Sequence, residues 1–380
     1  LPKILHNMGK RVLIGMSGGI DSTVAAILLL EQGYELVGAT FRTFDPPTSS
    51  LDNPSPKSCA SEQSIIDAQE MAQKLGFEHH ILDFRDTFRQ YVIANFVDEY
   101  AHGRTPNPCV MCNSHIKWGK LMQVAEQYQC DYIATGHYAQ IAEHRGHYYL
   151  KNAVDTHKDQ TYFLWMLTEE NLRKTIFPLG HLTKPQVREI AREHGFETLA
   201  KKPESQDICF IPNNNYRTFL IEQGVDVQAG EYIDSQGKIL GLHQGYCHYT
   251  IGQRKGLGIA LGHPAHVLRI NAEKNTVMLG TADDLKAEYM LVEDAMIINM
   301  QELLECPNLT VRIRYRSKPI PCQVLPLENG QMLVHFLEDA SAITPGQSAV
   351  FYDGKRVLGG AFIASQRGIF KVIAEHPFGE

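Results

Sequence analysis

Short, near-continuous apolar runs alternate with helical segments over the first third of the chain, and this alternation restricts the fold more than any other feature. Residues 11–16 (RVLIGM) are apolar and rich in β-branched side chains. A Ser/Gly/Asp turn follows, then an apolar helical stretch over 23–32 that Gly33 closes. Residues 35–41 read as a second strand and 45–57 as a Pro/Ser-rich loop. Ser61 caps a helix that runs to Leu75 and stops at Gly76. Residues 79–84 read as a strand, 87–101 as a helix and 130–135 as another strand. Strands that are apolar on both faces and separated by helices imply a parallel sheet covered on both sides. Such sheets take ligands at the carboxyl ends of their strands.

From about residue 213 the texture changes. Glycines become frequent and short β-like runs replace the alternation; from about 289 the runs lengthen, at 309–315, 323–327, 331–336, 349–352 and 356–364. Regular strands with turns between them suggest a small antiparallel barrel. The expected architecture is an α/β domain with a parallel sheet over 8–212, a small central module over 213–285 and a C-terminal antiparallel β-barrel over 286–380. A chain of 380 residues is long enough for two or three such cores.

Composition excludes several classes. With 43% hydrophobic and 21% charged residues, neither disorder nor a fibre is indicated. A net charge of -7 argues against a uniformly basic surface that coats nucleic acid, although a local basic track is invisible to whole-chain arithmetic. Residues 24–30 are apolar but far too few to span a membrane. The first ten residues carry no apolar core or cleavage site of a signal peptide, and 1–7 read as an extension before the first strand. The 8 Cys are scattered, unlike a disulfide-stapled secreted domain, so a reducing, cytoplasmic setting is expected. Nothing demands more than a monomer.

Gly15-Met16-Ser17-Gly18-Gly19-Ile20-Asp21-Ser22 joins the first strand to the first helix. Two glycines allow a tight turn and close approach of a phosphate. Ser17 and Ser22 add hydroxyl donors, and the first-turn amides of the helix favour an anion. No Lys follows the glycines, so this is not a loop that grips a transferred γ-phosphate. It fits a pyrophosphate-binding loop that splits ATP to AMP and pyrophosphate, with Asp21 helping to hold Mg²⁺ on the leaving group.

Further strings follow in order: Gly103-Arg104-Thr105-Pro106-Asn107-Pro108 leading to Cys112-Asn113, Ala134-Thr135-Gly136-His137-Tyr138, Lys158-Asp159-Gln160-Thr161-Tyr162-Phe163, Ile208-Cys209-Phe210, Gly252-Gln253-Arg254-Lys255-Gly256 and Thr344-Pro345-Gly346-Gln347. With these the chain resembles, essentially end to end, the tRNA-specific 2-thiouridylases (the MnmA family) of the ATP pyrophosphatase superfamily. The resemblance implies ATP-dependent 2-thiolation of the wobble uridine in the tRNA anticodon. The C2 oxygen is adenylated and sulfur displaces AMP. Sulfur arrives from a persulfide-carrying donor protein and forms a persulfide on Cys209; Cys112 acts as the nucleophile, leaving a Cys112–Cys209 disulfide that cellular thiols reduce. It also implies ATP contacts at Gly15 through Ser22 (Gly15, Met16, Ser17, Gly18, Gly19, Ile20, Asp21, Ser22), Phe41 and Gly136. Target-base contacts fall on Asn107, Pro108 and Cys109, and tRNA contacts on His137, Lys158, Asp159, Gln160, Arg314, Tyr315 and Gln347.

The chemistry of the residues agrees with that scheme. Replacing a carbonyl oxygen by sulfur needs a good leaving group, which adenylation provides, and a soft nucleophile. Cys112 precedes His115 and Lys117, and Cys209 follows Lys201 and Lys202, cations that would favour a thiolate if also near in space. Cys130, Cys247, Cys306 and Cys322 read as packing residues, and Cys59 has no assigned role. The sequence departs from the family at Cys109, where many members carry an acid/base Asp. The resulting Cys109-x-x-Cys112, with Cys209 as third thiol, offers an alternative in which these three hold an iron–sulfur cluster or zinc. Arg312, Arg314 and Arg316 alternate with apolar residues, which on a strand would row them on one face as a phosphate track. Lys318, Lys158, Lys201, Lys202, Arg254 and Lys255 would extend it. Two readings of other classes remain: a synthetase of the same loop type acting on a small molecule, and a tRNA-binding protein without activity.

Overall fold

The computed structural model describes residues 7, 9–44, 62–202, 208–211 and 215–376; the expected Ser61 cap, the Pro/Ser-rich loop and Cys59 lie outside them. The chain divides into two compact units, one of Leu1–Ile93, Pro108–Asn215 and Lys355–Val357, the other of Ala94–Asn107, Tyr216–Gly354 and Leu358–Glu380.

In the first unit, β1 (Arg11–Gly15), β2 (Glu35–Arg42), β3 (Glu78–Asp83), β4 (Tyr132–Thr135) and β7 (Thr175–Ile176) form a sheet of order β3-β2-β1-β4-β7. Its pairings are parallel. Between β4 and β7 the chain makes an antiparallel hairpin, β5 (Ala139–His144) and β6 (His147–Asn152), with Arg356 and Val357 paired onto β6. Helix α1 (Ile20–Glu31) buries Val24, Ala25, Ala26, Ile27 and Leu29, and β1 buries Val12, Leu13 and Ile14, so the first βα unit is core on nearly all sides. Gly33, at φ 86°, ends α1: Gly33 N donates to Leu30 O and Tyr34 N to Leu29 O. Helix α2 (Glu62–Leu75) buries only Ala68 and Ala72 and leaves its polar face to solvent. Because β1 lies between β2 and β4, the strand order reverses beside it, and a ligand crevice is expected at the carboxyl ends of β1 and β4.

The second unit contains a sheet of order β10-β11-β8-β9, from β8 (Gly230–Ile233), β9 (Ile239–His243), β10 (His266–Asn271) and β11 (Thr276–Gly280). The expected barrel is also present. Strands β12 (Lys286–Ile297), β13 (Leu309–Arg312), β14 (Ile320–Pro326), β15 (Met332–Ser341), β16 (Ser348–Asp353) and β17 (Arg356–Ile363) follow the order β12-β15-β14-β13-β16-β17. β12 pairs back onto β17, which closes the sheet and removes its edges. The helix Ala94–Ala101 belongs to this unit rather than to the preceding α/β core. Its aromatic face explains why: Phe96 meets Phe219 with ring centroids 6.0 Å apart and Tyr100 stacks on Tyr216 at 5.0 Å.

Two of the sequence strings dock on each other here. Thr105 N donates to Pro345 O at 2.9 Å, and Gln347 Nε2 donates to the carbonyls of Thr105 and Pro106 at 3.0 and 2.9 Å. Gly346 between them has φ 87°, and a Cβ there would strike Glu99 Oε2 and lie 2.9 Å from Thr105 O. Glu99 is buried and paired with Arg104, and burial holds its carboxyl above the usual range against the pull of that guanidinium. Gly346→Ala is expected to destabilise the protein by about 1–3 kcal/mol, from overpacking together with a strained left-handed residue. An unchanged urea midpoint would contradict this close fit.

Candidate functional site

The nucleotide loop is assembled where the strand order predicts. Met16 N donates to Ala39 O at 2.8 Å, which carries β1 beyond its last ladder pair before the chain turns. Ser22 Oγ accepts from Ser17 N at 3.2 Å and donates to Gly19 O at 3.0 Å, folding the loop back on the first turn of α1. Gly19 is the N-cap of α1 and supplies no side-chain acceptor, so the first-turn amides are not capped by it. Gly18 adopts φ 66°, and a Cβ there would collide with Ser64 O and approach Asp67 Cβ to 2.9 Å. Gly136, just after β4, faces the loop directly: an added Cβ would stand 2.8 Å from both Asp21 C and Ser22 N. Only glycine allows that approach. Phe41 at the end of β2 stacks its ring 5.5 Å from that of Phe84, and its edge would touch a Cβ on Gly15 at 3.8 Å. Thus Gly15 through Ser22, Phe41 and Gly136 converge.

Asp21 has partners that sequence reasoning missed. Lys184 Nζ lies 2.8 Å from both Asp21 carboxylate oxygens, and Tyr138 Oη donates to Asp21 Oδ1 at 2.8 Å. Lys184 is only 7% exposed. It opens helix α3 (Lys184–Glu193), whose start is fixed by a capping box of Thr183 and Gln186 and by Pro in the first turn. Its backbone amide donates to Asp155 Oδ2 at 2.9 Å. The Thr183-x-x-Gln186 signature could have located the helix start. Nothing in the spacing, 163 residues, connects Lys184 to Asp21.

Cys112 opens a π-helical turn, Cys112–Trp118, and is half-buried, as is Cys209. The π-helical turn packs against the short helix Arg85–Phe88, and Phe210, next to Cys209, sets its ring against Phe88 at 5.5 Å. The segments that carry the two cysteines therefore share this helix as a packing partner. The cations beside them in sequence have other partners. Lys117 Nζ points to His137 Nε2 at 3.2 Å and Lys202 pairs with Asp67 at 3.0 Å. His115 stacks on Tyr91 at 4.5 Å, and burial lowers its pKa, so it is not the nearby positive charge its position suggested. Cys109 is exposed on the short helix Pro108–Met111. Among the described residues no three His, Cys, Asp or Glu are grouped to hold a metal ion, and Cys109, Cys112 and Cys209 are all described. Cys247 and Cys322 are buried, and burial pushes the Cys322 thiol up to about 12.

The first-unit residues expected to meet tRNA are knitted into the fold. Asp159 is buried, accepting from Ala153 N at 2.8 Å, Asn152 Nδ2 at 2.9 Å and Thr161 Oγ1 at 2.7 Å. Gln160 exchanges two hydrogen bonds with the backbone of Tyr138, both 2.9 Å. Lys158 is half-buried, its amide donating to Asp155. His137 is buried beside Trp118 and Phe177. Since an ammonium only donates, Nε2 accepts from Lys117 and Nδ1–H donates to Thr135 Oγ1 at 2.7 Å.

In the second unit, Asn107 is buried with its amide 3.5 Å from Ser348 Oγ, and Gln347 is pinned to the Thr105 and Pro106 carbonyls; Pro108 and Cys109 belong to the first unit. The arginine row needs correction. β13 ends at Arg312, and Arg314, Tyr315 and Arg316 lie in the turn beyond it, so the three arginines do not share a strand face. Ser317 makes the turn, its amide and hydroxyl both donating to Arg314 O at 3.1 and 3.0 Å. Arg312 sits 5.0 Å over the Tyr352 ring, while Arg314 is exposed, with Nη2 donating to Ala342 O at 2.7 Å. Gly252 fits beneath it: a Cβ there would lie 3.2 Å from Arg314 Nη2 and 2.9 Å from Ala342 Cβ.

Burial, and secondarily Lys117, hold the His137 pKa well below its ordinary value. As pH falls through about 6.5, the unfolded chain takes up a proton that folded His137 refuses, so stability falls with pH. His79, His243 and His248 are lowered by burial in the same direction. Between pH 7 and 5, His137→Gln is expected to flatten the stability profile by up to about 1.4 kcal/mol per pH unit. Parallel wild-type and variant profiles in urea titrations would show that His137 ionises freely.

Comparison with known proteins gives a concordant result over the whole chain. A family model described as "tRNA methyl transferase HUP domain" matches residues 10–213, one described as "tRNA methyl transferase PRC-barrel domain" matches 217–281, and one described as "Aminomethyltransferase beta-barrel domain" matches 288–363. The chain is 56% identical over 380 residues to "tRNA-specific 2-thiouridylase MnmA 3" of Phocaeicola vulgatus, covering 98% of this chain and 99% of that one. It is 53% identical over 371 residues to the protein of the same name in Bacteroides fragilis, covering 97% and 98%. With "tRNA-specific 2-thiouridylase MnmA" of Amoebophilus asiaticus it shares 47% over 365 residues, covering 93% and 95%. At such identity over nearly complete chains, this protein belongs to the family of tRNA-specific 2-thiouridylases.

Proposed function

We propose that the protein uses ATP to replace the C2 oxygen of a tRNA wobble uridine with sulfur. The observation that carries the reading is the convergence of the Gly15–Ser22 loop, Phe41 and Gly136 at the strand-order reversal, in a chain whose relatives are named for this product. The loop's serine hydroxyls and the first-turn amides of α1 would bind ATP phosphates. Mg²⁺, when bound, would neutralise charge on the leaving pyrophosphate. Asp21 fits that role with one coordination site, because Lys184 and Tyr138 use three of its roughly four lone pairs.

In the sulfur step, a persulfide-carrying donor protein passes its outer sulfur to Cys209. The terminal persulfide sulfur attacks the adenylated C2 and AMP leaves with the former uridine oxygen. Cys112 thiolate then attacks Cys209 Sγ, breaking its bond to the tRNA-bound sulfur. That sulfur departs with the electron pair as the 2-thiouridine, and the two cysteines are left as a disulfide that external thiols reduce. Support for the pair is that the turn opened by Cys112 and Phe210, beside Cys209, both pack on the helix Arg85–Phe88. An iron–sulfur cluster on Cys109, Cys112 and Cys209 is not favoured, since these residues do not form a metal-ligand group. The domain reading retained is a catalytic α/β domain, a central module and a barrel. The protein is expected to work as a cytoplasmic monomer.

Mass spectrometry of tRNA nucleosides after incubation with protein, ATP, Mg²⁺ and a persulfide donor should show 2-thiouridine. Cys112→Ser and Cys209→Ser should each abolish it while tRNA-stimulated ATP–pyrophosphate exchange persists. No product from the wild type with a demonstrably competent donor would sink the reading, and product from either variant would sink the cysteine roles. A second expectation concerns the exposed turn: Arg314→Glu should weaken tRNA binding about tenfold and reduce the salt slope by about one, with ATP affinity unchanged. Equal binding curves at two salt concentrations would remove Arg314 from the tRNA surface.

A further inference from the structure

A chain of directional hydrogen bonds runs from β3 to the Gly15–Ser22 loop. Two of its members, Thr40 and His79, belong neither to the loop nor to the residues that the family resemblance assigns. Thr40, on β2 and 1% exposed, donates its hydroxyl to Met16 O at 2.9 Å. A carbonyl only accepts, so the single hydroxyl hydrogen of Thr40 is used there. The Thr40 oxygen lies 2.8 Å from His79 Nε2 and therefore accepts from it, which makes His79 the Nε2–H tautomer. Nδ1 of the same ring is buried and has no hydrogen-bond partner among the described residues. A proton added there would meet no acceptor. Burial, and secondarily His80, lower the His79 pKa, which keeps the ring neutral with its one N–H on Thr40.

The packing is arranged around this ring. His79 stands opposite Gly38 in the parallel β2–β3 ladder. A Cβ on Gly38 would lie 2.9 Å from both His79 Cδ2 and Phe77 Cε2, and 3.3 Å from Met16 Sδ. The space a side chain would need at Gly38 is thus taken by the imidazole, the Phe77 ring and the Met16 thioether. A buried hydrogen-bonded pair adds little net stability over apolar residues of the same shape, so what Thr40 and His79 supply is direction. They direct one peptide plane. Met16 N donates to Ala39 O at 2.8 Å and Met16 O accepts from Thr40. Ser17 N, on the other side of the Met16–Ser17 peptide, donates to Ser22 Oγ at 3.2 Å. A trans peptide is planar with C=O and N–H opposed, so fixing the carbonyl also fixes the Ser17 N–H. Ser22 Oγ carries the chain on to Gly19 O, at the N-cap of α1, at 3.0 Å. From this geometry we infer that His79 and Thr40 are positioning residues for the ATP-dependent reaction. They fix the Met16–Ser17 peptide plane, and with it the turn between β1 and α1, acting through the loop rather than on the nucleotide. This role rests on the ATP-dependent reading above and adds to it two residues from β2 and β3.

One arm of the test does not involve ATP. Long-range ¹H–¹⁵N NMR of the full wild-type chain reads the His79 tautomer, with His79→Gln used to assign its signals. The inference predicts Nε2–H; an Nδ1–H tautomer would overturn it whatever the chain does with ATP, and this arm stands even if a variant below does not fold. The other arm follows ATP–pyrophosphate exchange in the presence of unmodified tRNA. Thr40→Val, which keeps the shape and removes the hydroxyl, should raise the ATP KM about three- to tenfold and leave the tRNA KM within about twofold. Thr40→Ser, which keeps the hydroxyl, should stay within about twofold of the wild type. His79→Leu alone should raise the ATP KM about threefold. Because His79 acts through Thr40, adding it to Thr40→Val should raise the KM by no more than about a further 1.5-fold. Equal rises in both KM values, or effects of the two substitutions that multiply, would mark the pair as ordinary packing and overturn the inference. A wild-type chain that shows the Nε2–H tautomer but no exchange would overturn the ATP-dependent reading, and this role with it.

Discussion

Everything the first unit offers a nucleotide depends on a close approach of two stretches of backbone. Gly136 after β4 comes so near Asp21 and Ser22 that one methyl group would stand 2.8 Å from main-chain atoms. Backbone cannot yield as a flexible side chain does, so the contact fixes the spacing of the two strand ends. The loop hydroxyls, the open α1 amides and the Asp21 carboxylate are all placed from that spacing. His137 and Tyr138 follow Gly136 directly and turn inward, one onto Lys117, the other onto Asp21. The residues that directly follow β4 thus deliver partners to both the Gly15–Ser22 loop and the helical turn bearing Cys112.

The second unit uses the same device for a different end. Gly346 seats the loop before β16 against Glu99 and Thr105, and Gln347 pins the carbonyls of Thr105 and Pro106. A half-buried glutamine side chain that donates to two carbonyls holds its segment more directionally than apolar contact does. Gln347, which the family resemblance assigns to tRNA, also clamps the irregular segment leading to Asn107. Arg314 acts similarly on Ala342 and over Gly252 from an exposed position. Several of the conserved-looking strings therefore meet one another before they meet any ligand.

How much of this was legible depended on the range of the interaction. The alternation of apolar strands and helices disclosed the parallel sheet, and Gly33 and Gly76 marked helix ends correctly because a left-handed residue after a helix is a local requirement. The Gly15–Ser22 turn was legible for the same reason: its geometry lies within eight consecutive residues. The arginine row misled because alternation continues past β13 in the sequence while Ser317 turns the chain. The cationic neighbours of Cys112 and Cys209 were not legible in the same way, because proximity along the chain says nothing of where a long side chain ends: Lys117 reaches His137 and Lys202 reaches Asp67. Lys184 was missed for the converse reason. Its helix start is written locally, but its partner lies across the sheet topology.

That asymmetry bears on the kind of reaction the loop serves. A loop that transfers a γ-phosphate carries its lysine within itself, because the charge it must stabilise develops at the phosphate the loop wraps. On the reading proposed above, the bond that breaks would be at the α-phosphate and the charge would develop on a leaving pyrophosphate that must later depart. A loop with no lysine after its glycines, built from serine hydroxyls and first-turn amides, would meet that charge with dipoles and grip the departing group less than a fixed cation would.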